Sequence, residues 1–126
     1  MTTYILVDGV PVAESDVAKR IAFMESDGWH VGFDLVDFGS NDVFRVSTVF
    51  LQHDHRYDGD GPPILFETMV FHGHSSLDDL YVDRYCTLAD AKTGHARIVA
   101  RLRAAVAAKP EATAEELIEA IEETRL

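Results

Sequence analysis

Two hydrophobic periods divide this chain. From residue 29 to about residue 87, apolar side chains recur at every second position in blocks separated by glycine, proline, aspartate and asparagine. On either side they recur three or four apart. The first period belongs to strands and the second to helices. Residues 3–14, TYILVDGVPVAE, predict a short hairpin turning at Asp8-Gly9, with Pro11 confining its second arm to an edge. Residues 14–28 predict a helix capped by Ser15 or Asp16 and ended by Gly28, with Val17, Ile21 and Met24 on its apolar face. Strands follow at 29–38, 42–51, 63–71 and 80–87, the first two joined by a turn at 39–41. Thr87 and Asp90 resemble a capping box and open a long helix, with Leu88, Ala91, Ile98, Leu102 and Val106 on one face. Gly94 inside this helix marks a close approach, and Pro110 ends the helix. Thr113 and Glu116 cap a last acidic helix with a stripe of Leu117, Ile118 and Ile121.

The fold class is therefore α+β: an antiparallel meander of four to five strands with two or three helices packed on it. Residues 1–108 form a single domain. Residues 109–126 form a helix that belongs to the same domain or serves as a dimer arm.

The register of the long hairpin can be read by folding residues 44–52 onto 63–72 around a loop centred near residues 57–60. This sets Val49 opposite Glu67 and Leu51 opposite Leu65. One face then carries Val46, Thr48, Phe50, Ile64, Phe66, Thr68 and Val70. The other carries Arg45, Ser47, Val49, Leu51, Leu65, Glu67, Met69 and Phe71. Both faces are apolar, whereas a sheet with one wet face alternates cleanly. The second face needs a cover, either the helices or a second copy of the chain. Glu67, in the middle of LFETMVF, needs a partner, for which Arg45 and Arg84 are the candidates.

Charge narrows the functional classes. The 126 residues carry 22 acidic and 11 basic side chains, a formal charge of -11. Such a surface repels phosphate backbones, which argues against direct nucleic-acid binding. It fits plain solubility, salt adaptation or imitation of DNA charge against a basic partner. Nothing in the chain reads as a membrane span or a secretory leader, and the expected location is the cytoplasm. One cysteine, Cys86, excludes an internal disulfide framework.

Candidate chemistry concentrates in residues 47–74, which hold four of the six histidines. His53 and His55 form one strand-spaced pair, and His72 and His74 a second. The register puts the pairs at opposite ends of the hairpin, about 20 to 30 Å apart at roughly 3.3 Å per residue, so one metal cannot join them. His30 falls near Phe50, at the His53 end, so a metal set would be His30, His53 and His55 with Asp54. The DGDG segment at 58–61 mimics calcium-loop spacing but starts on Arg56, contains Pro62 and Pro63 and lies between strands, so turn chemistry accounts for it. Cys86 precedes a helix start, with His95 two turns on, but no nucleophile motif, phosphate loop, dinucleotide loop or zinc-protease motif is present. No cofactor is implied.

The segments STVFLQHDHRYDGDGPPILFETMVF and DRYCTLADAKTGHARIV resemble a group of small bacteriophage and prophage proteins. The shared features are Ser47 to Leu51, Asp54-His55, Gly61-Pro62-Pro63, Leu65 to Phe71, Tyr85 to Thr87 and Gly94-His95, over roughly residues 42 to 106. The acidic loop at 56–60 and the second histidine pair depart from the group. The resemblance implies an accessory factor and supplies no mechanism. The expected function is a non-enzymatic binding module, a homodimer acting on a host protein, in counter-defence or ligand sequestration. Alternatives are a metal-binding protein or metal-dependent hydrolase at His30, His53, Asp54, His55 and Glu67, and a nucleotide-like ligand pocket between sheet and helix near Glu67, Arg84 and His95. Asp54, His55, Glu67, Arg84 and His95 are the candidate binding residues.

Overall fold

Asp8 and Gly9 both take positive φ, 51° and 80°, the geometry of a tight hairpin turn. They join β1 (Tyr4–Val7) to β2 (Val10–Ala13), an antiparallel pair that forms its own small sheet. The structure, a computed structural model, describes residues 2–39, 41–56 and 59–125. Ser40 of the expected turn at 39–41 and Tyr57 and Asp58 of the hairpin tip therefore lie outside the described residues.

Helix α1 (Val17–Glu25) starts on Asp16, whose carboxylate accepts from the N–H groups of Ala18 and Lys19. Ser26 is its C-cap, ahead of the expected stop at Gly28, and Asp27 takes positive φ. The Val17, Ile21, Met24 stripe does not face the core: all three side chains are exposed, and no residue of α1 is buried. Phe23, on another side of the helix, makes the packing contact, edge-on to Phe50 at 5.7 Å between ring centres.

The main sheet is the predicted meander, in the order β3 (His30–Phe38), β4 (Asp42–Phe50), β5 (Phe66–His72), β6 (Asp79–Tyr85), all antiparallel. Val49 stands opposite Glu67, and the Leu51 N–H donates to the Leu65 carbonyl, as the folded hairpin required. Bulges interrupt the ladders at Val31 and at Leu80.

Helix α2 (Leu88–Ala108) is capped by Thr87 and crosses one face of the sheet. It buries Ala91, Gly94, His95, Ile98, Val99 and Leu102. Helix α3 (Ala114–Glu123) opens with the full Thr113–Glu116 capping box and sets Leu117, Ile118 and Ile121 into the same cluster as α2, Val36, Phe44, Val46 and Val70. A second cluster, around Phe50, Leu65, Phe66 and Tyr85, is roofed by Tyr4, Leu6, Phe23, Trp29 and Leu88. The fold is α+β, with two sheets and three helices among the described residues. None of those helices is long and apolar enough to cross a membrane.

Candidate functional site

Both major helices lie on the face of the sheet that carries Val46, Thr48, Phe66, Thr68 and Val70. On that face one polar chain runs through the core. The Tyr85 hydroxyl donates to Thr68 Oγ1 at 3.2 Å. Thr68 and Thr48 share a hydrogen bond of 2.5 Å, and Thr48 Oγ1 lies 2.7 Å from His95 Nδ1. His95 Nε2 lies 2.8 Å from Asp34 Oδ2. With the imidazole proton on Nε2, every link points the same way, from the Tyr85 hydroxyl to the Asp34 carboxylate. Burial pushes the Tyr85 phenol up from its ordinary value, against the opposing pull of its bond to Thr68. Tyr85 therefore keeps the proton it donates.

Two glycines make room for this chain. A Cβ on Gly32 would stand 3.0 Å from the His95 ring, and one on Gly94 would collide with the Tyr85 ring. Acid, imidazole and hydroxyl follow the order of a catalytic triad, but Thr48 is fully buried and its hydroxyl is also engaged by Thr68. No reacting carbonyl can reach it, so the arrangement joins helix to sheet rather than activating a nucleophile. Both ring nitrogens of His95 are used, which removes His95 as a base for Cys86. The Cys86 thiol instead contacts the Pro62 carbonyl and the Arg56 guanidinium.

The expected metal set is not assembled. Asp54 Oδ1 accepts from the N–H groups of Ile64 and Arg56, at 2.8 and 2.9 Å, and closes the loop as a turn residue. Those two bonds hold its carboxyl below the usual range. His55 Nδ1 bonds to the His53 carbonyl, His53 forms a backbone bridge with Thr3, and His30 stacks on Trp29 at 3.8 Å. Among the described residues no three His, Cys, Asp or Glu side chains converge in a way that could hold a metal ion. At the other end His72 pairs with Asp42.

Glu67 finds Arg84 and not Arg45: Arg84 Nε donates to its Oε2 at 2.8 Å. The carboxylate is 7% exposed and the guanidinium 36%. Arg45 stacks on Phe71 and donates to the carbonyls of Gly73 and Ser76, fastening the loop before β6. Glu67 projects from the face opposite to Thr68, so Glu67 and Arg84 share no pocket with His95.

The remaining feature is that opposite face. No helix covers it. Cross-strand partners place Phe33, Leu35, Ser47, Val49, Met69, Phe71 and Val82 on it. Phe33 is 57% and Leu35 42% exposed, Val49, Met69, Phe71 and Val82 are half-buried, and Leu77 in the loop held by Arg45 is 84% exposed. The alternation of the strands foretold two apolar faces, and the structure covers only one. A second apolar surface is the α1 stripe, which the sequence showed as one face of that helix. It lines a groove of about 430 Å³ with Arg20, Glu25 and Gln52.

No protein-family model, no curated protein and no solved structure matches the chain.

Proposed function

We propose that this chain is a non-enzymatic binding module that works through protein contacts made by the open face of its main sheet. The observation that carries the reading is that face itself. It is a four-stranded antiparallel surface, apolar at its centre, with Phe33 and Leu35 exposed and Val49, Met69, Phe71 and Val82 half-buried, while the three helices pack elsewhere. Apolar side chains gathered on an uncovered sheet face favour an interaction site. The titratable groups argue in the same direction. Asp54 and His55 are occupied by turn bonds, His95 by the buried chain, and Glu67 by Arg84. The metal-dependent and nucleotide-pocket readings would need these groups to converge, and they are held apart. The resemblance to phage and prophage proteins supports a cytoplasmic accessory role, with a host protein as partner and counter-defence as one form of it. The acidic surface supports a protein partner over a nucleic acid.

The test is native mass spectrometry of freshly purified, chelator-free protein, with elemental analysis of the same sample. The expected result is a polypeptide mass without metal or small adduct. A stoichiometric metal or organic adduct that survives Phe33→Asp would overturn the reading.

A further inference from the structure

We propose that the occupant of the open sheet face is a second copy of this chain, packed sheet against sheet about a two-fold axis. The proposal rests on the binding-module reading and names the partner of its face. Three observations carry it.

The first is charge. The chain has an excess of eleven negative charges. The strand positions that alternate onto this face hold Glu67 and Arg84 in the end row with Val49, Arg45 and Asp79 in the row of Leu35 and Phe71, and Asp37 at the other end, so the row of Phe33, Ser47, Met69 and Val82 between them carries no charge. Two positive and three negative groups leave one unit of the excess. A basic partner would be drawn to the acidic remainder, such as Glu115, Glu116, Glu119, Glu122 and Glu123 of α3, and not to this face. Two copies that must keep their acidic surfaces apart can meet here with the least repulsion.

The second is that three of these charged groups are already satisfied. Glu67 is held by Arg84, and Arg45 by two carbonyls and the Phe71 ring. What the face offers is apolar area, and an isologous contact needs only a patch complementary to itself. Two antiparallel sheets meet about 10 Å apart through side chains such as Phe33, Leu35, Val49, Met69 and Phe71.

The third is size. Four strands about 4.8 Å apart, with about seven residues each at roughly 3.3 Å, give a face of about 19 by 23 Å. Two such faces bury about 900 Å² in projection, before the relief of the side chains and the Leu77 loop are added, at the threshold of a specific interface near 1,000 Å². The dimer should therefore be reversible and concentration-dependent.

Sedimentation equilibrium of the full chain from about 5 to about 500 μM tests this, because that range brackets a micromolar dissociation constant. The wild type should dimerise. Phe33→Asp and Leu35→Asp, checked for unchanged far-ultraviolet circular dichroism, should each weaken the dimer by about 100-fold, since each buries a charge at the contact. Val17→Asp on α1 should leave it unchanged. A dimer broken by Val17→Asp and not by Phe33→Asp would overturn both the proposal and the role of the sheet face. A monomer throughout, whose binding of anilinonaphthalene sulfonate is lost in Phe33→Asp, would overturn the second copy and leave the face for another protein. A monomer that binds no dye would overturn both.

Discussion

Gly94→Ala separates packing from helix propensity, because the two give opposite signs. In the interior of a 21-residue helix, alanine is more favourable than glycine by about 1 kcal/mol. Here the added Cβ would land on Cε1, Cζ and the hydroxyl oxygen of Tyr85, at separations that real Cβ atoms do not show. The ring cannot swing out of the way: it is buried, and its hydroxyl is tied to Thr68. Overpacking of this kind costs about 1–3 kcal/mol. A displaced Tyr85 also loses a buried hydrogen bond, about 1 kcal/mol more. Against the propensity gain, the net expectation is a loss of about 1–3 kcal/mol. That is about 4–12 °C in Tm for a domain of this size. Urea titration followed by circular dichroism should show a lower midpoint at constant slope. In a Tyr85→Leu background the same substitution should become neutral or stabilising, with a coupling of at least about 1 kcal/mol. A Gly94→Ala protein as stable as wild type would refute the reasoning.

Other substitutions test the remaining contacts. Arg84→Ala should cost about 2 kcal/mol by leaving the Glu67 carboxylate buried and unpaired, less than for a fully buried pair because the guanidinium end is partly wet; Glu67→Gln in that background should recover much of it in urea titrations. Thr113→Ala removes the hydroxyl that caps α3 and should cost about 1 kcal/mol in the same titrations. Asp54 is held below its usual value of 3.8, so the stability it contributes is complete above that value and is lost as pH falls through the lower folded value. Thermal melts between about pH 5 and 2 should therefore show a flatter acid loss for Asp54→Ala than for wild type; identical slopes would remove Asp54 as a closing residue of the loop. Phe33→Asp should leave the stability of the monomer within about 0.5 kcal/mol of wild type, because the side chain is exposed there.

The parts of this fold that were legible in the sequence are those set by neighbours along the chain. Alternation fixed which residues share a face along β4 and β5, and folding about a loop centred near residues 57–60 fixed Val49 against Glu67; Leu65, assigned to the face of Glu67, instead packs with Phe50 and Phe66 where the strand has not yet begun. The Asp8-Gly9 turn and the Thr113–Glu116 box carry their own local hydrogen-bonding chemistry. What escaped depends on distant partners. Nothing near Glu67 chooses Arg84 over Arg45; the pairing of β5 with β6 does. The spacing of Val17, Ile21 and Met24 states that α1 has an apolar stripe, not which way the helix is turned when Phe23 seeks Phe50. His95 was named as a binding residue for a pocket between sheet and helix beside Glu67 and Arg84, but its partners Thr48 and Asp34 lie 47 and 61 residues away. The only local sign of that chain is the pair of glycines, Gly32 and Gly94, that let helix and sheet approach.

The buried chain takes one residue from every strand of the main sheet, Asp34, Thr48, Thr68 and Tyr85, and closes on α2 through His95. A one-residue slip of any strand would turn its member to the other face and leave the neighbouring group of the chain without that partner. Meander strands that pair with their chain neighbours can form early, hairpin by hairpin, in several registers. The chain can then act as a proofreading contact: only the collapsed state with all four registers correct satisfies it. Because it closes after the strands have paired, substitutions of His95 should accelerate unfolding more than they slow folding.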